Sequence, residues 1–316
     1  MSFPLFSSIK PPADAEALGY LRQCVSSWKT AGFDVVAING PTEREAISRL
    51  SLPIELHRLP HDGKPRIGEI LAAIRERSCP FAGIINSDCK LIGYPDLAAS
   101  LCAGLDGAAA LAWRLEVNGN AGSATLPLPS GYDAFFFDAH VIPDDDLCFY
   151  IGDPWWDVWF PLALAANGAK IAQLSVPLMT HRVHVQNWNW TAFLTSGNRV
   201  WGALKSWRTR WTWALFADIP DEWWRQERLN RVQLNRLALI ITGWFRGQRT
   251  TITILPPDLA EIETALRLCG ETMIKAALDN GDSQTEEELA AIRNSTSWRM
   301  TKPLRAVRRL ARTMFP

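Results

Sequence analysis

Asn86-Ser87-Asp88 closes the uncharged run Phe81-Ala82-Gly83-Ile84-Ile85, so a carboxylate stands where a buried apolar segment ends. A short apolar run bounded by turn residues is the pattern of a buried parallel strand, and open α/β sheets bind ligands just beyond the carboxyl ends of such strands. A carboxylate there can hold a hard divalent cation, Mn or Mg, which bridges diphosphate oxygens and neutralises charge on a departing phosphate. The competing use of the same triplet is structural, because Asn, Ser and Asp also cap turns and helices. Cys89, next in the chain, reads as a reactive thiol or as a buried structural cysteine, and the second reading is preferred.

The elements that must position Asp88 follow from periodicity. Pro4 to Ile9 reads as a short strand, and Ala13 to Ala31 as a helix with Leu18, Leu21, Val25 and Trp28 on one stripe, ended by Gly32. Phe33 to Ile38 is a second strand, after which Thr42 to Glu45 opens a helix with a capping box. A strand over Ile54 to Leu59, a polar loop and a helix over Ile67 to Arg77 precede the strand that delivers Asp88. Strands alternating with helices of this length imply βαβ units and a mainly parallel sheet.

Past Asp88 the character is more antiparallel. Strands are expected over Ala108 to Val117, over Asp133 to Phe137 and over Lys170 to Leu178, with a helix from Val158 to Ala166. From Trp188 the chain reads as mostly helical, and eight of its fifteen tryptophans fall between Trp188 and Trp224. Such density suits a sugar-stacking platform or the core of a helical region, and core is the expectation for most of them. The tract Asn280 to Glu288 is polar and acidic, whereas Arg293 to Arg312 carries seven basic residues and no acidic one. The expected organisation is therefore residues 1–195, an α/β domain; 196–280, a Trp-rich helical extension; and 281–316, an acidic linker with a basic amphipathic tail.

Four segments would line one sheet edge: Ser7 to Pro12, Asn39-Gly40, His61 to Arg66, and Asn86-Ser87-Asp88. Together they resemble the donor pocket of nucleotide-sugar glycosyltransferases with the GT-A fold, with Asn86 in place of the first aspartate of that family's Asp-x-Asp motif. The resemblance covers roughly Pro4 to Trp190 and implies a GT-A-like sheet with helices on both faces, followed by a C-terminal helical extension. It further implies that Asp88 is a metal ligand and that Asn86 contacts ribose or a metal-bound water. Lys64 or Arg66 would approach the diphosphate, and Ser8, Lys10, Asn39 and Ser87 would belong to the donor pocket. The alternative for Lys64 and Arg66 is a solvated loop charge.

In inverting members of that family a carboxylate at a helix N-terminus takes the acceptor proton. The matching segment is Gly152-Asp153-Pro154-Trp155-Trp156-Asp157, which makes Asp153 the first choice of general base, with Asp157 and Asp133 in reserve. Asp153 equally reads as an N-cap. His181 and His184 follow the last strand, where some GT-A enzymes place a further metal ligand; a hydrogen-bonded structural histidine is the plain alternative. The stretch Ile292 to Arg305 is similar to a tail found on bacterial enzymes of cell-surface polysaccharide assembly. Its basic amphipathic end could rest on an anionic inner leaflet, or could be a solvated tail or a partner-docking helix.

The whole-chain properties agree with an enzyme of this size. With 316 residues and 47% hydrophobic content the chain can bury a substantial core, and a formal net charge of zero gives no field that would draw nucleic acid. Met1 to Ser8 lacks the pattern of a secretory signal, and the six cysteines lack paired metal-ligand spacing, so a cytoplasmic location with reduced thiols is expected. The leading expectation is a metal-assisted glycosyltransferase acting from a nucleotide-sugar donor on a glycan or lipid-linked acceptor. The alternatives are a non-catalytic glycan-binding or adaptor protein of the same fold and a nucleotidyltransferase. Against the last, no Gly-rich phosphate loop with a following Arg and Lys lies near the first strand.

Overall fold

The computed structural model describes residues 2–94, 96–112, 114–117, 132–144, 148–174, 178–182, 189–248 and 250–254. Its elements in chain order are β1 (Pro4–Ser7), α1 (Ala15–Thr30), β2 (Asp34–Asn39), α2 (Pro41–Ser48), β3 (Glu55–Arg58), α3 (Ile67–Glu76), β4 (Phe81–Ile85) and β5 (Cys89–Leu91). There follow α4 (Leu97–Cys102), β6 (Ala108–Ala112), β7 (Arg114–Val117), β8 (Ala134–Asp138), α5 (Trp156–Ala166), β9 (Lys170–Leu174), β10 (Met179–Arg182), α6 (Trp190–Trp207), α7 (Arg231–Arg246) and β11 (Thr251–Ile252).

Eight strands form one sheet in the order β11-β9-β6-β8-β4-β1-β2-β3, parallel throughout except that β8 runs antiparallel to both β4 and β6. One face is covered by α1, α2 and α4, the other by α3, α5, α6 and α7. This is the α/β architecture with helices on both faces that the strand and helix periodicities imply. The alternation of β8 shows why: Phe135 and Phe137 pack edge-on against Phe160 of α5, while Phe136 turns to the opposite face and stacks on Phe33. A triple phenylalanine needs a strand buried on both sides.

One expected strand is divided and another is shorter than expected. The run Ala108 to Val117 breaks after Ala112, because β6 is buried on both faces and Arg114 cannot follow it inside; β7 leaves for a second, three-stranded sheet of order β5-β10-β7. The strand begun at Lys170 ends at Leu174, and β10 belongs to the small sheet. The capping box expected at Thr42 is absent. The N-cap of α2 is Gly40, and Asp62, from a distant loop, accepts from the Thr42 backbone N–H at 2.9 Å and from its hydroxyl at 3.0 Å. Gly40 permits that approach, since a Cβ there would lie 2.6 Å from the His61 carbonyl oxygen.

The helical region does not stand apart from the sheet. Trp201, Leu204, Leu234, Leu237, Ile241 and Phe245 share one apolar cluster with Phe135, Trp159 and Phe160, and β11 extends the sheet beside β9. The division expected at residue 195 falls inside α6. Of the tryptophans in this region, Trp201 and Trp223 are core, Trp207, Trp213 and Trp224 are partly buried against it, and Trp190 and Trp211 are exposed. No helix among the described residues is long and apolar enough to cross a membrane. The acidic linker and basic tail lie outside the described residues.

Candidate active site

The strand order fixes where a site can form. Chain order β1-β2-β3 runs outward on one side of β1 and β4 returns on the other, so the connections diverge between β1 and β4; ligands of open α/β sheets bind in the crevice this leaves. The parallel strands β1 to β4 bring Ser8, Asn39, the loop after β3 and Asn86 to Asp88 to one edge. Because β8 is antiparallel to β4, with Ile85 opposite Ala134, its first residues meet the same edge and bring Asp133 there.

Asp88 sits in the turn that carries the chain from β4 in the large sheet to β5 in the small one. The small sheet's β10 pairs with β5 so that His181 lies opposite Cys89, and the His181 Nε2 stands 3.3 Å from Asp88 Oδ2. His181 is buried, whereas the Asp88 side chain is 37% exposed. The backbone beneath Asp88 is held from α1: the Tyr20 hydroxyl donates to the Asp88 carbonyl at 3.0 Å, the Trp28 indole N–H to that of Cys89 at 2.8 Å, and the Leu91 N–H to the Ser27 hydroxyl at 3.0 Å. Three side chains of one helix thus satisfy the outer edge of β5. Cys89 is fully buried and burial raises its thiol well above the ordinary range, so it stays protonated and inert.

Asp133 lies beside this turn but is not open to it. It is buried; one oxygen accepts from the Asn86 amide at 2.6 Å and the other is paired with Arg114. Asp133 and Asn86 therefore brace one another, and the Asn86 backbone N–H also donates to the Asp133 carbonyl at 2.8 Å. Arg114 was not singled out in the sequence. The signal for it is a cation two residues after a run of alanines and leucine that must be buried, a position that favours a paired guanidinium.

Asp157 occupies the first turn of α5. Its surroundings push its carboxyl up to about 7: burial is the main cause, the Asp133 charge adds to it, and Arg114 opposes it. Pro161, four residues on, has no N–H to give the Asp157 carbonyl. Asp153 is not the N-cap of this helix. That position is Trp155, in the left-handed region at φ 76°, and Asp153 is instead paired with Lys64 at 2.5 Å. Gly152 has φ 77°, so the glutamate that the resembled family carries there would be strained in this backbone. The loop is tied to the segment before α3 by the Arg66–Tyr150 bridge and the Ile67 N–H to Phe149 carbonyl bond at 2.7 Å.

The remaining expected residues divide. Ser8 and Ser87 are partly exposed at the edge and Lys10 is exposed beyond it. Arg66 contributes its backbone N–H to the Glu69 carboxylate at 2.7 Å. Asn39 is fully buried, its amide donating to the Ile9 carbonyl and to Glu43 while its oxygen accepts from the Ile9 N–H, so that it shapes the β1 exit. His184 lies outside the described residues.

Among the described residues no three His, Cys, Asp or Glu side chains gather as a metal centre. Asp88 and His181 do fit a partial shell, because two adjacent ligands of an octahedral cation at ~2.1 Å stand about 3 Å apart. A carboxylate with an imidazole suits Mn better than Mg, and the other positions would belong to ligand oxygens and water. Two cavities of about 490 Å³ each lie elsewhere: neither is lined by Asp88, Asp133, Asp153, Asp157 or His181.

No protein-family model matches the chain, and no curated protein matches it in sequence. Solved structures are similar to it at low identity. S. aureus TarS 1-349 in complex with UDP-GlcNAc shares 13% identity, over 78% of this chain and 90% of that one, with a TM-score of 0.42. The mannosyltransferase PcManGT from Pyrobaculum calidifontis, in complex with GDP-Man and Mn2+, shares 11% over 96% of this chain and 84% of that one, with a TM-score of 0.39. A nucleotidyl transferase from Methanothermobacter thermautotroptrophicus shares 12% over 65% of this chain and 99% of that one, with a TM-score of 0.35.

Proposed function

We propose that this chain is a glycosyltransferase that moves a sugar from a nucleotide-sugar donor to a glycan or lipid-linked acceptor with the help of Mn or Mg. The observation that carries the reading is the pairing of Asp88 with His181 at the divergence point of the sheet, where topology opens a ligand crevice. Asp88 and His181 would hold the cation, which when bound neutralises charge on the leaving diphosphate. Ser8 and Ser87 border the crevice as donor contacts, and Lys64 reaches it by exchanging Asp153 for a phosphate oxygen. Asn86 and Asp133 fix the turn that presents Asp88 and do not touch ligand themselves.

Asp157 is the preferred general base, ahead of Asp153. A carboxyl near 7 accepts a proton in the working range of pH far better than an ordinary one, and Asp153 serves first as the partner that Lys64 leaves for the donor phosphate. A second reading, a binding protein of the same fold without turnover, is favoured by one feature: Asn86 gives the cation no second carboxylate. A thermal-shift screen of nucleoside diphosphates and their sugars, with Mn, with Mg and with neither, tests the proposal. Ligand at about a hundredfold over its dissociation constant should stabilise the fold by about 2.7 kcal/mol, and only when Mn or Mg is present. No stabilisation by any nucleotide with either cation would reject both readings, and stabilisation without turnover on any acceptor would select the second.

A further inference from the structure

The geometry points to a saccharide-binding site in the helical region, remote from Asp88 and independent of any transfer reaction. Three aromatic planes lie nearly parallel there: Trp211 against Trp213 at 6.0 Å and 14°, and Trp213 against Phe216 at 5.6 Å and 18°. Trp244 of α7 supports the middle ring at 5.1 Å. One end of the row, Trp211, is 37% exposed. The other end, Phe216, lines a cavity of about 490 Å³ together with Arg208, Asp218 and Asp221, a volume in the range of small-ligand sites.

The polar lining of that cavity is open to solvent: Arg208, Asp218 and Asp221 are all exposed. The Arg208 guanidinium lies over the Trp224 ring at 4.3 Å, a contact that orients its planar fork of donors. Asp218 and Asp221 stand at the bend between two short 3-10 turns, Ala214–Ala217 and Asp221–Arg225, and no hydrogen bond or ion pair engages either carboxylate among the described residues. Paired hydroxyls of a sugar ring can donate to such carboxylates and accept from the guanidinium, while the apolar face of the ring packs on an aromatic plane. The alternative occupant is a membrane surface, for which exposed Trp and Arg are also suited. Two carboxylates on the cavity wall oppose an anionic leaflet, and a neutral polyol meets no such repulsion.

The test uses the full chain labelled with 5-fluorotryptophan, the Trp211 fluorine signal being assigned with Trp211→Phe. It is titrated with cellotetraose, maltotetraose and triacetylchitotriose up to about 10 mM, above a millimolar dissociation constant. Expected is a saturable shift of the Trp211 signal with at least one oligosaccharide, weakened about tenfold by the double variant Asp218→Asn, Asp221→Asn at unchanged thermal stability, as loss of hydrogen bonds to charged groups implies. Three outcomes would overturn the inference: no shift with any of the three, a shift undiminished in the double variant, or a shift with phosphatidylcholine–phosphatidylglycerol vesicles alone. A separate titration with UDP or GDP and Mn reports on the Asp88 crevice, so failure of the donor reading and failure of this site are distinguishable.

Discussion

Asp157 is a carboxyl displaced from the ordinary acid range to about 7, and the difference has a measurable sign. Its carboxyl lies at about 7 in the folded chain and in the ordinary carboxylate range when unfolded, so between those values only the folded state keeps the proton. The stability this group contributes is full at low pH and is lost as pH rises through about 7. Asp157→Asn removes the ionisation, and its melting temperature relative to wild type should therefore rise between pH 5 and pH 8; a difference constant over that range would show that the raised value is wrong. The sequence puts Asp153 first and Asp157 in reserve, because Asp153 holds the position of the resembled family's base. What separates them is the company each keeps, Lys64 for the one and Asp133 for the other, and those partners are 89 and 24 residues away in the chain. Asp88 was legible because it ends its own strand, whereas Arg114 took its role from a partner that comes later in the sequence.

At the scale of elements, β4 delivers Asp88 only if it lies flat between β1 and β8. Gly83 makes that approach close: a Cβ there would stand 2.7 Å from Leu5 Cδ1 and 2.9 Å from Phe136 Cδ1. Gly83→Ala should destabilise the fold by about 1–3 kcal/mol, since neither neighbour can shift without leaving the packed core. Denaturant melts showing an unchanged midpoint would mean that the strands are not packed as described. The existence of β1, β2, β4 and β8 was readable from apolar runs bounded by turn residues, because burial on both faces leaves such runs no polar interruptions. Strand ends were less so. The break after Ala112 is set by which sheet the next segment can join, and no local pattern encodes that choice. The α2 cap belongs to the same class, because Asp62 supplies it across 20 residues of chain.

For the whole molecule, the sheet face over α5 is completed by α6 and α7, so a chain ending at residue 195 would leave Phe135, Trp159 and Phe160 without much of their cover. Such a fragment should lack a cooperative melt, while one spanning residues 1–254 should keep it; a cooperative transition in the shorter fragment would establish a separable domain there. The candidate site is likewise a property of the assembled chain. Asp88 and His181 come from different halves of the sequence, 93 residues apart, and meet because the small sheet folds β10 back beside β5. The direct measurement is calorimetric titration of a nucleoside diphosphate that stabilises the protein, with and without Mn, into wild type, Asp88→Ala, His181→Ala and the double variant. Mn-dependent binding should be lost in both single variants, and the double variant should be little worse than either, because the two side chains act as one ligand pair. Equal affinity in wild type and Asp88→Ala, unaffected by Mn, would contradict the assignment of position 88 and the transfer chemistry built on it.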